Sequence, residues 1–291
     1  MAKVRNIVES ILGWHLEKVA SIRKSDVMVI YGPMFPGLPG LVREEIEKVA
    51  LSNQNEVLTI LLDTGGGLVD AVERTVGIIR HHYDIVNFVI PDQAMSAGTV
   101  FALSGDNIYM DYYSQLGPID PQFYIEGRWI PGLGYMEKFE ELNQKSANGT
   151  LTPLEFGLVD KLDLADLHQY EQAREHSVEL LEKWLPAYKF KNWNKKESSG
   201  ESVTMEMKKK RAKEIARKLN ATKRWHAHSR GITMQLLREE LNLIIEDMSL
   251  ENNFHDEVKQ VHSFILDHME TSQIPFCLRS VSYDGGTDGE T

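Results

Sequence analysis

An α/β fold with a small C-terminal helical domain is predicted by three observations. Short apolar runs alternate with stretches of helical periodicity in the first half of the chain. Two of those runs end in turns rich in glycine or other small residues that open directly into a helix. Beyond residue 207 the pattern is helical. Strand–helix alternation of this kind argues for parallel strands joined by helical crossovers.

The elements follow in order. Residues 1–26 carry Val4, Ile7, Val8, Ile11, Leu12, Leu16 and Val19 with charges between them. That spacing is an amphipathic helix rather than a signal peptide. Its apolar side is expected to pack on the body or on a neighbouring subunit, with a peripheral membrane role as the alternative. Asp26 to Tyr31 reads as the first core strand. The Gly/Pro-rich stretch from Gly32 to Gly40 is a loop, and Val42, Ile46, Val49 and Ala50 mark a helix face. Glu56 to Leu62 is the next strand. Leu68, Val72, Val76 and Ile79 line a helix that ends near His81-His82. Ile85 to Ile90 is a third, buried strand, broken by Pro91 and Asp92.

Two turns carry the chemistry. Asp63-Thr64-Gly65-Gly66-Gly67-Leu68-Val69 joins the second strand to its helix, and Met95-Ser96-Ala97-Gly98-Thr99 opens the helix after the third. A serine at a strand-to-helix turn exposes its hydroxyl, and the helix N-terminus offers unpaired N–H groups to a developing oxyanion. Glycine lets a backbone N–H approach a substrate carbonyl with no Cβ in the way. The competing use of Ser96 is as an ordinary helix cap.

These two motifs, followed by Leu116-Gly117-Pro118-Ile119-Asp120-Pro121-Gln122, resemble the Clp-peptidase/crotonase superfamily, and within it the serine dehydrogenase proteinases, relatives of signal-peptide peptidase A. The resemblance covers about residues 26–122 and continues more loosely to about residue 185 and around 228–243. It implies a spiral of ββα units, a serine peptidase activity with Ser96 as nucleophile, and a homo-oligomeric ring or tetramer. An oxyanion hole would draw on Gly66 or Gly67 and on Ala97. A peptide or protein substrate would lie extended beside Gly65 to Leu68, adding a strand.

The chain departs from the Clp pattern in one respect: no histidine lies between Ser96 and Glu137. A lysine base is the alternative, and it works only if desolvation lowers its pKa from about 10.4 toward about 7–8. Gly134 to Lys145 reads as a helix with Tyr135, Lys138 and Leu142 on one face. Lys138 is the candidate base, with Lys145 and Lys161 behind it.

Composition narrows the function classes. The net charge is −11, which disfavours nucleic-acid binding by the chain as a whole. Cys277 is the single cysteine, so an intrachain disulfide and a cysteine-built zinc site are both excluded. No apolar run approaches the ~20 residues of a membrane span, and a cytoplasmic setting is expected. No cofactor and no metal is expected, and a phosphate loop with lysine is missing.

Thr152-Pro153-Leu154-Glu155 is a helix start with a capping threonine, N1 proline and N3 glutamate. The helix is expected to run to about Trp184. The organisation reads as a protease-like domain over 1–190, a linker over 191–206, a helical domain over 207–275 and a disordered tail over 276–291. Within residues 208–230, ten Lys or Arg face one Glu. Two helices there allow a helix-turn-helix nucleic-acid reader, but docking on the acidic body or on an adjacent subunit is favoured. His226 and His228 are a weak metal signal. Besides peptide hydrolysis, two functions stay open: thioester enolate chemistry on the same scaffold, and a non-catalytic scaffold or nucleic-acid-binding protein.

Overall fold

The computed structural model describes residues 2–50, 55–119, 122–125, 128–159, 163–196, 199–221 and 230–284. The main sheet contains β1 (Asp26–Tyr31), β2 (Val57–Asp63), β3 (Ile85–Val89), β5 (Asn107–Met110), β10 (Glu246–Asp247) and β11 (Cys277–Val281), in the order β10-β5-β3-β2-β1-β11. All neighbours are parallel except β11, which runs antiparallel to β1 with Tyr31 opposite Cys277. Crossovers are made by α2 (Leu38–Ala50), α3 (Val69–His82) and α4 (Ala97–Ala102).

Each long strand feeds a short step out of the main sheet before its helix begins. After β1, Met34 bridges Gly67; after β2, Thr64 bridges Ala94. After β3, β4 (Gln93–Ala94) pairs with β6 (Gln115–Leu116), which follows β5 and also pairs with β9 (Ile232–Thr233). Long strand, short strand, helix is therefore the repeating unit, as a spiral of ββα units requires.

The sheet is buried on both faces, which explains apolar runs without polar alternation. Met28, Ile30, Leu58, Ile60 and Phe88 pack against α2, α3 and α4. Val27, Val29, Leu61 and Val89 pack on the other side against α1 (Ala2–Arg23) and α10 (Asn252–Ser272). Each fully buried side chain of this size contributes about 1.5–3 kcal/mol. Leu12, Leu16 and Val19 of α1 are buried, whereas Ile7 and Ile11, expected on the same apolar face, are 58% and 40% exposed.

The C-terminal region differs most from expectation. α8 (Met205–Leu219) and α9 (Met234–Leu241) do not form a body of their own. Ala212, Ile215, Leu219, Leu237 and Leu241 share one core with Leu181, Trp184 and Leu185 of α7 (Leu164–Ala187). The expected linker is structured: Lys195 bridges Ser202, and Lys196 and Val203 donate backbone hydrogen bonds to Glu201 and Asn194. The expected tail supplies β11, an edge strand that buries the exposed side of β1.

Several charges in the described part of the basic segment are used within the chain. Lys208 donates to the Lys191 carbonyl at 2.9 Å, Arg211 to Leu241, and Lys213 pairs with Glu182. His226 and His228 lie outside the described residues, as does Lys161.

Thr152 and Glu155 make the reciprocal capping bonds that their spacing predicted. The helix they open, α6 (Pro153–Val159), is short, and α7 starts separately at the Asp163 cap. A further hairpin, β7 (Gln122–Ile125) with β8 (Arg128–Pro131), precedes α5 (Gly132–Ala147).

Candidate active site

Ser96 sits between β4 and α4 with φ 51° and ψ −118°, a conformation rarely adopted by a residue with a side chain. Non-glycine residues hold such backbone only where the surroundings over-determine it, at a cost of about 1–3 kcal/mol. Here they do. Met95 donates to Thr64 at 2.9 Å, Gly98 to Met95 at 2.8 Å and Thr99 to Ser96 at 2.9 Å. The Thr99 hydroxyl donates to the Ala94 carbonyl at 2.6 Å, while the Gly117 N–H donates to it at 2.9 Å, tying the start of α4 to β4 and the stretch after β6. The Ser96 side chain makes no cap hydrogen bond. The capping use of this serine is thereby ruled out, and its hydroxyl is left uncommitted.

The glycine loop lies directly against this turn. A Cβ built on Gly66 would fall 2.9 Å from the Ser96 Cβ and 2.8 Å from the Met95 carbonyl. Gly66 has φ +102° and Gly67 φ +143°, and a Cβ at Gly67 would meet the Met34 carbonyl oxygen at 2.2 Å. Neither position accepts another residue without displacing backbone.

Hydrogen bonding separates the oxyanion candidates. The Gly66 N–H donates to the Thr64 hydroxyl at 2.9 Å, so it is already used. Met34 donates to the Gly66 carbonyl and accepts from Leu68, at 2.9 and 2.8 Å. That pairing occupies one edge of the loop and turns the Gly67 N–H to the other. Among the described residues neither the Gly67 nor the Ala97 N–H has a backbone or side-chain acceptor. Gly65 and Gly67 are exposed and Leu68 is 49% exposed, on the edge that Met34 leaves open.

The lysines do not match the expectation of a half-buried base. Lys138 lies on α5, 54% exposed, with its Nζ 3.0 Å from Glu141. It lines a groove of about 1320 Å³ between α5, α7 and α8, to which Ser96 does not contribute. Lys145 pairs with Glu155 and Glu141, whose hydrogen bonds raise its pKa, the wrong direction for a base. The Tyr135 side chain lies outside what is described. Desolvation does act on one lysine, Lys189, pushed down to about 8 by burial. It approaches the Asp106 carbonyl, at the opposite end of the strands from Ser96, and no sequence signal marked it.

A second titratable group was missed by sequence reasoning. Asp63, Asp92 and His262 each offer a ligand atom within 4.8 Å of the others. Asp63 ends β2, Asp92 precedes β4, and His262 comes from α10. Burial, with the Asp92 charge second, raises Asp63 to about 7. Burial lowers the His262 pKa, against the pull of Asp92.

Comparison with known proteins places these motifs. Residues 41–155 match the model of the ClpP-like SDH-type serine proteinase family. The matched segment holds the glycine loop, the Ser96 turn and Lys138. Two uncharacterized proteins of Methanocaldococcus jannaschii, MJ1495 and MJ0137, are 28% identical over 135 residues and 29% identical over 106. Those matches cover 46% and 36% of this chain, and the chain spans less than half the length of either relative, 45% and 37%. Among solved structures, a serine-to-alanine mutant of the 1510-N membrane-bound stomatin-specific protease aligns with TM-score 0.45 and 14% identity, covering 78% of this chain and 80% of its own. ClpP1 from Listeria monocytogenes aligns with TM-score 0.39 and 13% identity, covering 76% and 91%. Among the described residues no helix is long and apolar enough to cross a membrane.

Proposed function

We propose that this chain is a serine peptidase with Ser96 as nucleophile. The observation that carries the reading is an uncommitted, strained serine beside two N–H groups without acceptors. The Ser96 Oγ attacks the scissile carbonyl, and the negative charge on its oxygen is held by the Gly67 and Ala97 N–H groups. A base takes the Ser96 proton and returns it to the leaving amine, and water then hydrolyses the acyl-enzyme. Gly66 serves by its shape, since its own N–H is held by Thr64. The peptide runs along the open edge of Gly65, Gly67 and Leu68 as an added strand.

Lys138 remains the proposed base, on one condition. It must lose Glu141 and leave water, because only a neutral amine accepts the proton. Packing of α5 and α6 against a second copy would do this: Leu154, Phe156 and Leu158 of α6 are 78%, 65% and 49% exposed. The active form is thus a homo-oligomer in this reading, acting in the cytoplasm. Labelling with a serine-directed fluorophosphonate tests the assignment. Wild type should label and Ser96→Ala should not; equal labelling of both would sink it.

A further inference from the structure

The glycine loop and the Ser96 turn share a structural root. Asp63 is the residue before Thr64, and Asp92 is the residue before β4, which leads to Ser96. The two carboxylates converge with His262 at the carboxyl end of the main sheet, on the side covered by α10. Among the described residues no lysine or arginine pairs with either carboxylate, and neither carboxylate accepts a hydrogen bond from a hydroxyl, an amide or a backbone N–H. His262 Nδ1 is 3.7 Å from Asp63, beyond hydrogen-bonding distance. Two carboxylates held this close in a half-buried place either share a proton or take a counter-charge.

The surroundings hold the imidazole ready. The wholly buried Tyr31 hydroxyl lies 3.0 Å from His262 Nδ1, and the two rings are 5.6 Å apart. The ring contact with Tyr31 orients the imidazole, and a cation on Nδ1, the nitrogen that faces Asp63, would displace the Tyr31 hydrogen bond. The donor set is two carboxylate oxygens and one imidazole nitrogen, with room left for water. The imidazole nitrogen makes that set fit a divalent transition metal better than Mg²⁺ or Ca²⁺, which prefer oxygen alone.

We propose that Asp63, Asp92 and His262 bind one divalent transition-metal ion, of the Mn²⁺ or Zn²⁺ type, which clamps together the roots of the two active-site turns. The ion sits behind the turns and takes no part in acyl transfer. Cys277, opposite Tyr31 on β11, is not a ligand.

Calorimetric titration of the full chain with Mn²⁺, paired with thermal unfolding, tests the site. Wild type should bind one ion, and a hundredfold excess over Kd should raise Tm by about 5 °C. His262→Ala and Asp92→Asn should each weaken binding by at least about tenfold. Without metal, Asp92→Asn should unfold no lower than wild type, because it removes a repulsion; this separates lost binding from lost folding. Cys277→Ser should bind as wild type does. Ser96→Ala should bind as well, so the site stands or falls apart from the peptidase assignment. Absence of binding at millimolar Mn²⁺, or unchanged affinity in His262→Ala and Asp92→Asn, overturns the proposal.

Discussion

The turn at Ser96 and the helix carrying Lys138 lie in one family-matched segment, yet their physical states are opposite. The turn is buried and held by backbone hydrogen bonds, while its hydroxyl and two nearby N–H groups remain uncommitted. Lys138 is exposed, with its charge matched by Glu141. Polar groups left unused inside a well-bonded region cost stability, so their persistence argues for a ligand. A solvated ion pair costs almost nothing and argues for nothing. On the proposed mechanism, the nucleophile would be prepared within one chain, whereas the base would await assembly.

The comparison can be broken most sharply at the nucleophile. Ser96→Ala should cut peptide hydrolysis by about 10⁴-fold or more, with Tm nearly unchanged, since alanine keeps the Cβ on the same strained backbone. Retained hydrolysis would mean that the strained turn has another use.

Next in size is Gly67→Ala. Its methyl would meet the Met34 carbonyl, moving one N–H away from the oxyanion, and activity should fall by about 10²–10³-fold. Steady-state kinetics on a peptide ester should show the loss in kcat rather than in KM. An unaltered kcat would exclude Gly67 from the oxyanion hole.

Lys138→Ala sharpens the other half. The Tm should not move measurably, since the side chain is solvated, while labelling should fall with Lys138 as base. Wild-type labelling that is unchanged by this substitution removes Lys138 from the mechanism and leaves it a surface residue. Gel filtration with light scattering should place the active wild type in an oligomer.

The smallest effect concerns pH and lies away from the site. Asp111 is desolvated, which raises its pKa, but His255 and the N–H groups of Tyr113 and Ser114 outweigh this and hold it below the usual range. A depressed folded pKa contributes stability that is full above the unfolded value of about 3.9 and lost as pH falls through the folded one. Thermal unfolding from pH 6 down to about pH 3 should therefore show a Tm decline that is shallower in Asp111→Asn. An identical slope would show that Asp111 is not a contributor to acid unfolding.

Much of the fold was legible because it is locally encoded. The runs at Asp26–Tyr31 and Ile85–Val89 are apolar, bounded by breakers and buried on both faces, so composition alone marked them. The Thr152–Glu155 cap was legible for the same reason, being four consecutive residues that bond one another. β11 was not. Its residues resemble a polar tail, and only pairing with β1 makes them a strand. Gly66 and Gly67 looked equivalent until the Thr64 hydroxyl was seen to occupy one N–H.

By itself, the sequence determined the order of strands and helices, the two turns and the residue types within them, because periodicity, breakers and capping act over a few neighbouring residues. Tertiary structure alone decided which N–H groups stay unused, which lysine loses water and which carboxylates meet His262. Those outcomes depend on desolvation and charge proximity, and both are set by packing between segments far apart along the chain.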